Sequence, residues 1–281
     1  MLHGYTQSGP SFRAKSRALE KQIQKAYPGS TLWYPTGPLK LRPSDVPGYD
    51  ATSSTNAADQ EVEAYGWWRR SSTADPPMYV GLEDGLAEVA GALNQEGPFD
   101  GVIGFSQGAA LAAMMSSLLQ GQVREDSFET LTSSTSSSSC ASSLSLPSFP
   151  SSSAASFPFP ASFRNLQHPP LKFCILYSGF IAPGERYSAF YQPFISTPSC
   201  HFLGSLDTIV EEKRCLTLYD AFVGSQPSPR LIRHPGGHFL PSSKQYLQAA
   251  VSFIGDAMQT NTSTTPVESK EEDARDMELP F

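Results

Sequence analysis

Gly104-Phe105-Ser106-Gln107-Gly108 lies between the apolar run GVI at 101–103 and the small-residue run AALAAMM at 109–115. A serine flanked by glycines at this spacing fits a sharp strand-to-helix turn that presents its hydroxyl at the sheet edge. Side chains at Gly104 and Gly108 would clash across such a turn, and the serine would hold strained dihedrals. The bland alternative is an ordinary turn that contains a serine. The apolar strand before it and the alanine-rich helix after it favour a nucleophile. A hydroxyl attacks only when a base takes its proton, and the usual base is a histidine oriented by a buried carboxylate. The acid and then the base should follow the serine, on loops after later strands. Asp207 closes the run HFLGSLD and His238 closes RHPGGH, so both meet that order.

Other residues compete for these roles. Glu211, Glu212 and Asp220 fall in a helical stretch, where carboxylates are usually solvated, and Asp100 precedes the elbow strand and suits a turn. His234 ends a strand, whereas His238 follows Gly236-Gly237, whose backbone freedom lets the chain swing back toward the serine. His201 lies within an apolar run and reads as a core residue, while His168 borders a serine-rich stretch and reads as solvated. Acyl transfer also needs donors for the developing oxyanion. The N–H of Gln107, at the helix N-terminus, is one. The stretch LHGYTQSG at 2–9 offers the second: Gly4 lets the backbone approach, the N–H of Tyr5 faces the site, and His3 braces the loop.

The elements that must position these groups alternate. Helices are expected over 11–27, 80–95, 209–222 and 242–257, and strands at STLWYPTGP, GVI, LKFCILYSGF, SCHFLGSLD and RLIRH. That alternation predicts a three-layer α/β domain with a mostly parallel sheet over residues 1–257. Residues 38–60 read as loop. From about 124 to 167 serine, threonine and proline dominate without a period, which predicts a disordered insertion. The polar stretch 258–281 predicts a disordered tail.

Composition narrows the chemistry further. A net charge of −7 with no basic cluster argues against nucleic acid as partner. No apolar run is long enough to predict a membrane span. Cys140, Cys174, Cys200 and Cys215 show no metal-like spacing, so a reduced, intracellular chain without a disulfide framework or metal is expected.

The blocks LHGYTQSG, WYPTGP, GWWRR, GPFDGVIGFSQGAA, YSGF, LGSLDTIV and HPGGHFLP together resemble the fungal "family of serine hydrolases", which is related to the human ovarian-cancer-associated serine hydrolase. The resemblance covers most of residues 2–256 outside the insertion. It implies an α/β-hydrolase fold, a Ser106-Asp207-His238 triad and an acyl-enzyme route needing no cofactor. It further implies esterase or thioesterase activity on small acyl substrates, some of them carrier-protein-bound, and a cytoplasmic, in some cases nuclear, location. Trp67 and Trp68 match the family's paired tryptophans and read as core or lid packing. The loop at 38–77 and the aromatic segment 180–198 are expected to wall an acyl pocket.

A buried strand should precede the oxyanion loop, and Met1 with Leu2 is shorter than the usual five or so residues. Two expectations follow. Either apolar residues precede Met1, the favoured reading, or the first strand is truncated and the protein is a catalytically impaired relative.

Overall fold

The computed structural model describes residues 1–46, 63–71, 73–136, 156–225 and 228–260. In chain order the elements are α1 (Gly9–Lys15), α2 (Arg17–Ala26), β1 (Leu39–Lys40), β2 (Tyr65–Gly66), β3 (Arg69–Arg70), β4 (Tyr79–Val80), α3 (Leu82–Glu96), β5 (Gly101–Phe105), α4 (Gln107–Leu118), α5 (Gln122–Ser136), β6 (Phe173–Tyr177), β7 (Ser199–Gly204), α6 (Glu212–Asp220), β8 (Arg230–His234) and α7 (Lys244–Thr260).

The central sheet has the order β5-β6-β7-β8, and its strands are all parallel. Successive residues of a strand face opposite sides, so the two faces carry different cores. On one face Ile103, Phe105, Ile175 and Phe202 pack against Phe12, Leu19 and Ile23 of α1–α2 and Phe253 of α7. On the other, Val102, Cys174 and Leu176 pack against Leu86 and Val89 of α3, Leu111 and Met115 of α4, and Leu218 of α6. Every residue of β6 and β7 is buried, as expected of parallel strands covered on both faces. The fold is thus the expected three-layer α/β-hydrolase arrangement. β1 with β2 and β3 with β4 form short antiparallel ribbons beside it.

Several expectations need correction. The helix foreseen over 11–27 begins at Gly9, capped by Ser8, and divides at Ser16. The Ser16 hydroxyl donates back to the Phe12 carbonyl at 2.9 Å, a local bond that competes with the helix ladder. The stretch at 30–38 makes no strand. Leu2 occupies a single step beside β5, its N–H donating to Ile103 O at 2.8 Å and its carbonyl accepting from Phe105 N at 3.0 Å. Trp33 O accepts from the Met1 amino group at 2.9 Å. A cavity of about 340 Å³ is lined by Met1, Thr31, Trp33, Gly101 and Ile103. Pro35 lacks the N–H that a ladder needs, and its neighbours bond elsewhere: the Thr36 hydroxyl accepts from Gly9 N–H at 3.0 Å and the Gly37 N–H donates to His3 Nε2 at 2.8 Å.

The region foreseen as disordered is ordered at both ends. α5 runs to Ser136, and Phe157, Phe159 and Phe163 are buried. Phe128 meets Phe159 and Phe190 edge-to-face at 5.4 and 4.9 Å. The Arg124 guanidinium, wholly buried, donates to Ala189 O at 3.0 Å and Pro193 O at 2.7 Å. A few aromatic and basic anchors therefore outweigh the polar composition around them. Residues 137–155, with Cys140, lie outside the described residues, as do 47–62 and 261–281. His168 is half-buried rather than solvated, and its Nε2 accepts from the Phe99 N–H at 2.8 Å. In the segment 180–198, Tyr187, Phe190, Tyr191 and Ile195 turn into the core instead of facing an open pocket.

Candidate active site

β5 delivers Ser106 to the start of α4 with φ 54° and ψ −116°, a left-handed conformation that costs a non-glycine residue energy. Its N–H is fixed by Tyr177 O at 2.8 Å. The flanking glycines answer to sterics. A Cβ on Gly104 would lie 2.3 Å from Gly108 O, and one on Gly108 would lie 2.2 Å from Leu2 O. All of α4 is buried, and its alanines let it sit close over the sheet.

Asp207 follows β7, and His238 follows β8 across the turn at 235–237. The Asp207 side chain is 3% exposed and lies 2.7 Å from His238 Nδ1 through Oδ2. Its Oδ1 accepts from the N–H groups of Ile209 and Val210, both at 2.9 Å. Burial pushes this carboxyl up, but the Val210 N–H, the His238 ring and the Ser178 hydroxyl act the other way, and the balance leaves it below the usual range. An ionised carboxylate only accepts, so the imidazole proton sits on Nδ1. That leaves the Nε2 lone pair facing the Ser106 hydroxyl, 2.9 Å away. The three groups form one hydrogen-bonded chain.

The rival groups stand elsewhere. His234 is buried against Phe239 and Tyr246, and its Nδ1 accepts from Gly236 N–H at 3.3 Å. Desolvation lowers its pKa, partly offset by Asp207. His201 is buried within β7, and desolvation pushes its pKa down to about 3. Asp100 pairs with Lys172 at 2.6 Å and Glu212 with Arg233 at 2.8 Å. Glu211 and Asp220 are exposed.

The loop carrying Gly4 and Tyr5 folds over the elbow. Gln7 bridges Tyr65 of β2, with Thr6 N donating to Tyr65 O at 2.9 Å and Tyr65 N to Gln7 O at 3.1 Å. The His3 Nδ1–H donates to Gly4 O at 2.8 Å, and Nε2 accepts from Gly37 N–H at 2.8 Å. The bond accepted at Nε2 requires the neutral ring, and desolvation pushes its pKa down to about 4 against a smaller opposing pull from the Gly4 carbonyl. Trp67 and Trp68 are buried, as their core reading expects.

Sequence reasoning missed Ser178. It sits at the end of β6 with φ 48° and is 1% exposed. Its hydroxyl has no partner at ideal geometry, yet it helps to hold the Asp207 carboxyl down. The signal was a serine before a glycine at the end of a buried strand next to the elbow strand. Among the described residues no three His, Cys, Asp or Glu side chains cluster as a metal site would require, and no helix is long and apolar enough to cross a membrane.

Comparison with known proteins adds the following. The family model described as "Serine hydrolase (FSH1)" matches residues 1–250. "Family of serine hydrolases 3" of Saccharomyces cerevisiae is 29% identical over 266 residues, covering 90% of this chain and 82% of that protein. "Esterase OVCA2" of Danio rerio is 30% identical over 261 residues, covering 90% and 94%. Among solved structures, acyl-protein thioesterase 2 of Zea mays superposes with a TM-score of 0.51 at 17% identity, covering 92% of this chain and 91% of that one. This last likeness speaks for the fold.

Proposed function

The chain belongs to the serine hydrolase (FSH1) family, and from that premise we propose that it hydrolyses ester or thioester bonds of small acyl substrates through Ser106, His238 and Asp207. The observation that carries the reading is the chain of hydrogen bonds at 2.9 and 2.7 Å from Ser106 Oγ through His238 to Asp207. Ser106 Oγ attacks the acyl carbonyl as its proton passes to His238 Nε2, and Asp207 stabilises the imidazolium. The N–H groups of Gln107 and Tyr5 receive the oxyanion. Collapse of the tetrahedral adduct expels the alcohol or thiol, which takes the proton from Nε2. Water, deprotonated by the same nitrogen, then attacks the acyl-enzyme and releases the acid. Gly104 and Gly108 make the elbow possible, and no step calls for a metal or cofactor. Cys174, Cys200 and Cys215 are free and buried, which suits a reducing cytoplasmic or nuclear setting.

The test is hydrolysis of p-nitrophenyl esters and acyl-CoA thioesters over a series of chain lengths, by the wild type and by Ser106→Ala. Turnover lost in the variant supports the reading. Turnover that survives in the variant contradicts it.

A further inference from the structure

Gln107 opens α4 with its backbone, but its side chain reaches the other way. Its Oε1 accepts from the Trp67 N–H at 2.8 Å and its Nε2 donates to Trp68 O at 2.9 Å. The amide is buried, so each of these bonds replaces one that water can no longer supply. From Trp67 the connection continues. Its indole N–H donates to His3 O at 2.8 Å, and its ring stacks on the His3 imidazole with centroids 4.8 Å apart. His3 in turn holds Gly4 through the Nδ1–H bond at 2.8 Å. Gly4 rests on the elbow itself: a Cβ there would stand 2.9 Å from the Phe105 ring and 3.4 Å from Ser106 Cβ.

The path therefore starts at Gln107 and ends at the peptide between Gly4 and Tyr5. Those are the two residues whose N–H groups the proposed function assigns to the oxyanion, and the inference rests on that reading. Backbone bridges of Leu2 to β5 and of Gln7 to Tyr65 flank the second of them, and the His3 ring acts on the peptide between these bridges. Oxyanion donors act within a narrow range, about 2.7–3.1 Å from the developing charge. We propose that the Gln107 side chain and Trp67 are positioning residues that set the distance between the two oxyanion donors. They act on the transition state through the loop, without touching the substrate.

The experiment uses the full chain with Gln107→Met, of similar length but without the amide bonds, and Trp67→Phe, which keeps a stacking ring and loses the indole N–H. Each is assayed for kcat and KM on a p-nitrophenyl ester, for inhibition by a trifluoromethyl ketone that forms the tetrahedral adduct, and for binding of the product carboxylate. A displaced donor predicts kcat falling roughly 10- to 100-fold, ketone affinity falling in parallel, and KM and carboxylate binding within about twofold. Because both variants cut one path, the double variant should be no slower than the slower single. Should Gln107→Met fail to fold, Trp67→Phe, which leaves both Gln107 amide bonds to the backbone in place, carries the same kcat, KM and ketone readings alone. Unchanged ketone affinity, KM rising together with ketone dissociation, or effects that multiply in the double variant would overturn the inference. Failure of the proposed function would appear separately, as a wild type that neither hydrolyses the ester nor forms the ketone adduct.

Discussion

The two sides of Ser106 are held by different means. On one side, Asp207 and His238 follow β7 and β8, strands that run in register from Cys200 with Arg230 to Gly204 with His234, and β7 is paired again with β6. Backbone ladders thus place the Asp207 and His238 side chains. On the other side, the loop of Gly4 and Tyr5 has one bridge to β5, one to Tyr65, and the side chains of His3, Trp67, Gln7 and Gln107. Ladder bonds survive most substitutions, whereas side-chain bonds can be removed singly. The Asp207–His238 side should therefore be hard to disturb except at those two side chains and Ser106, and the Gly4–Tyr5 side should yield to changes at a distance.

The largest expected effect lies on the firm side. Asp207→Asn should lower kcat by about 10⁴-fold, since the amide favours the wrong imidazole tautomer. Circular dichroism should show the fold unchanged, and a variant retaining a tenth of wild-type turnover would mean that the carboxylate plays another part. Next comes local opening. By native-state hydrogen exchange, the N–H groups of Leu2 and Gln7 should exchange at least about 100-fold faster than those of Ile175 and Phe202, because a segment held by few bonds opens without global unfolding. Equal rates would erase the contrast between the two sides.

Acid should find the same weak side. The folded-state pKa of His3 is depressed from 6.5 to about 4, so the unfolded chain binds the extra proton first as pH falls. The stability contributed by neutral His3 is complete above about pH 6.5 and is lost on going down to about 4, up to roughly 3 kcal/mol. His201, depressed to about 3, acts in the same direction and continues lower. Denaturation titrations between pH 7 and 4 should show the decline, and His3→Gln should flatten it by the His3 share. An identical slope in wild type and variant would count against the His3 assignment. The smallest effect returns to the firm side. Ser178→Ala should cut kcat/KM by no more than about fivefold, because its hydroxyl acts on Asp207 without a hydrogen bond of ordinary geometry, and should raise the pH at which the acid limb begins by releasing its downward hold on that carboxyl. A change in kcat/KM with no shift of the limb would point to packing alone.

Much of the site was legible because its parts are local. Gly104, Ser106 and Gly108 encode one tight turn, and Asp207 and His238 stand where strand ends must follow in chain order. The structure brings the Ser106, His238 and Asp207 side chains together at the distances given above. The links around them were not legible, since Gln107 and Trp67, or Ser178 and Asp207, meet only after the sheet forms. The same holds for the fold. The parallel strands announced themselves as apolar runs, but the stretch at 30–38 could not reveal that its Gly37 N–H would go to His3 Nε2. Arg124 and Phe128 were lost in a serine-rich background, although their partners at Ala189 and Phe190 make that helix part of the core.

The central claim is that Ser106 is an activated nucleophile. Incubation with a fluorophosphonate, followed by intact-mass measurement and peptide mapping, tests it directly. One phosphonyl adduct on Ser106 of the wild type, and none on folded Ser106→Ala, is the predicted result. A folded wild type that takes up no label, or takes it on another residue, would contradict it.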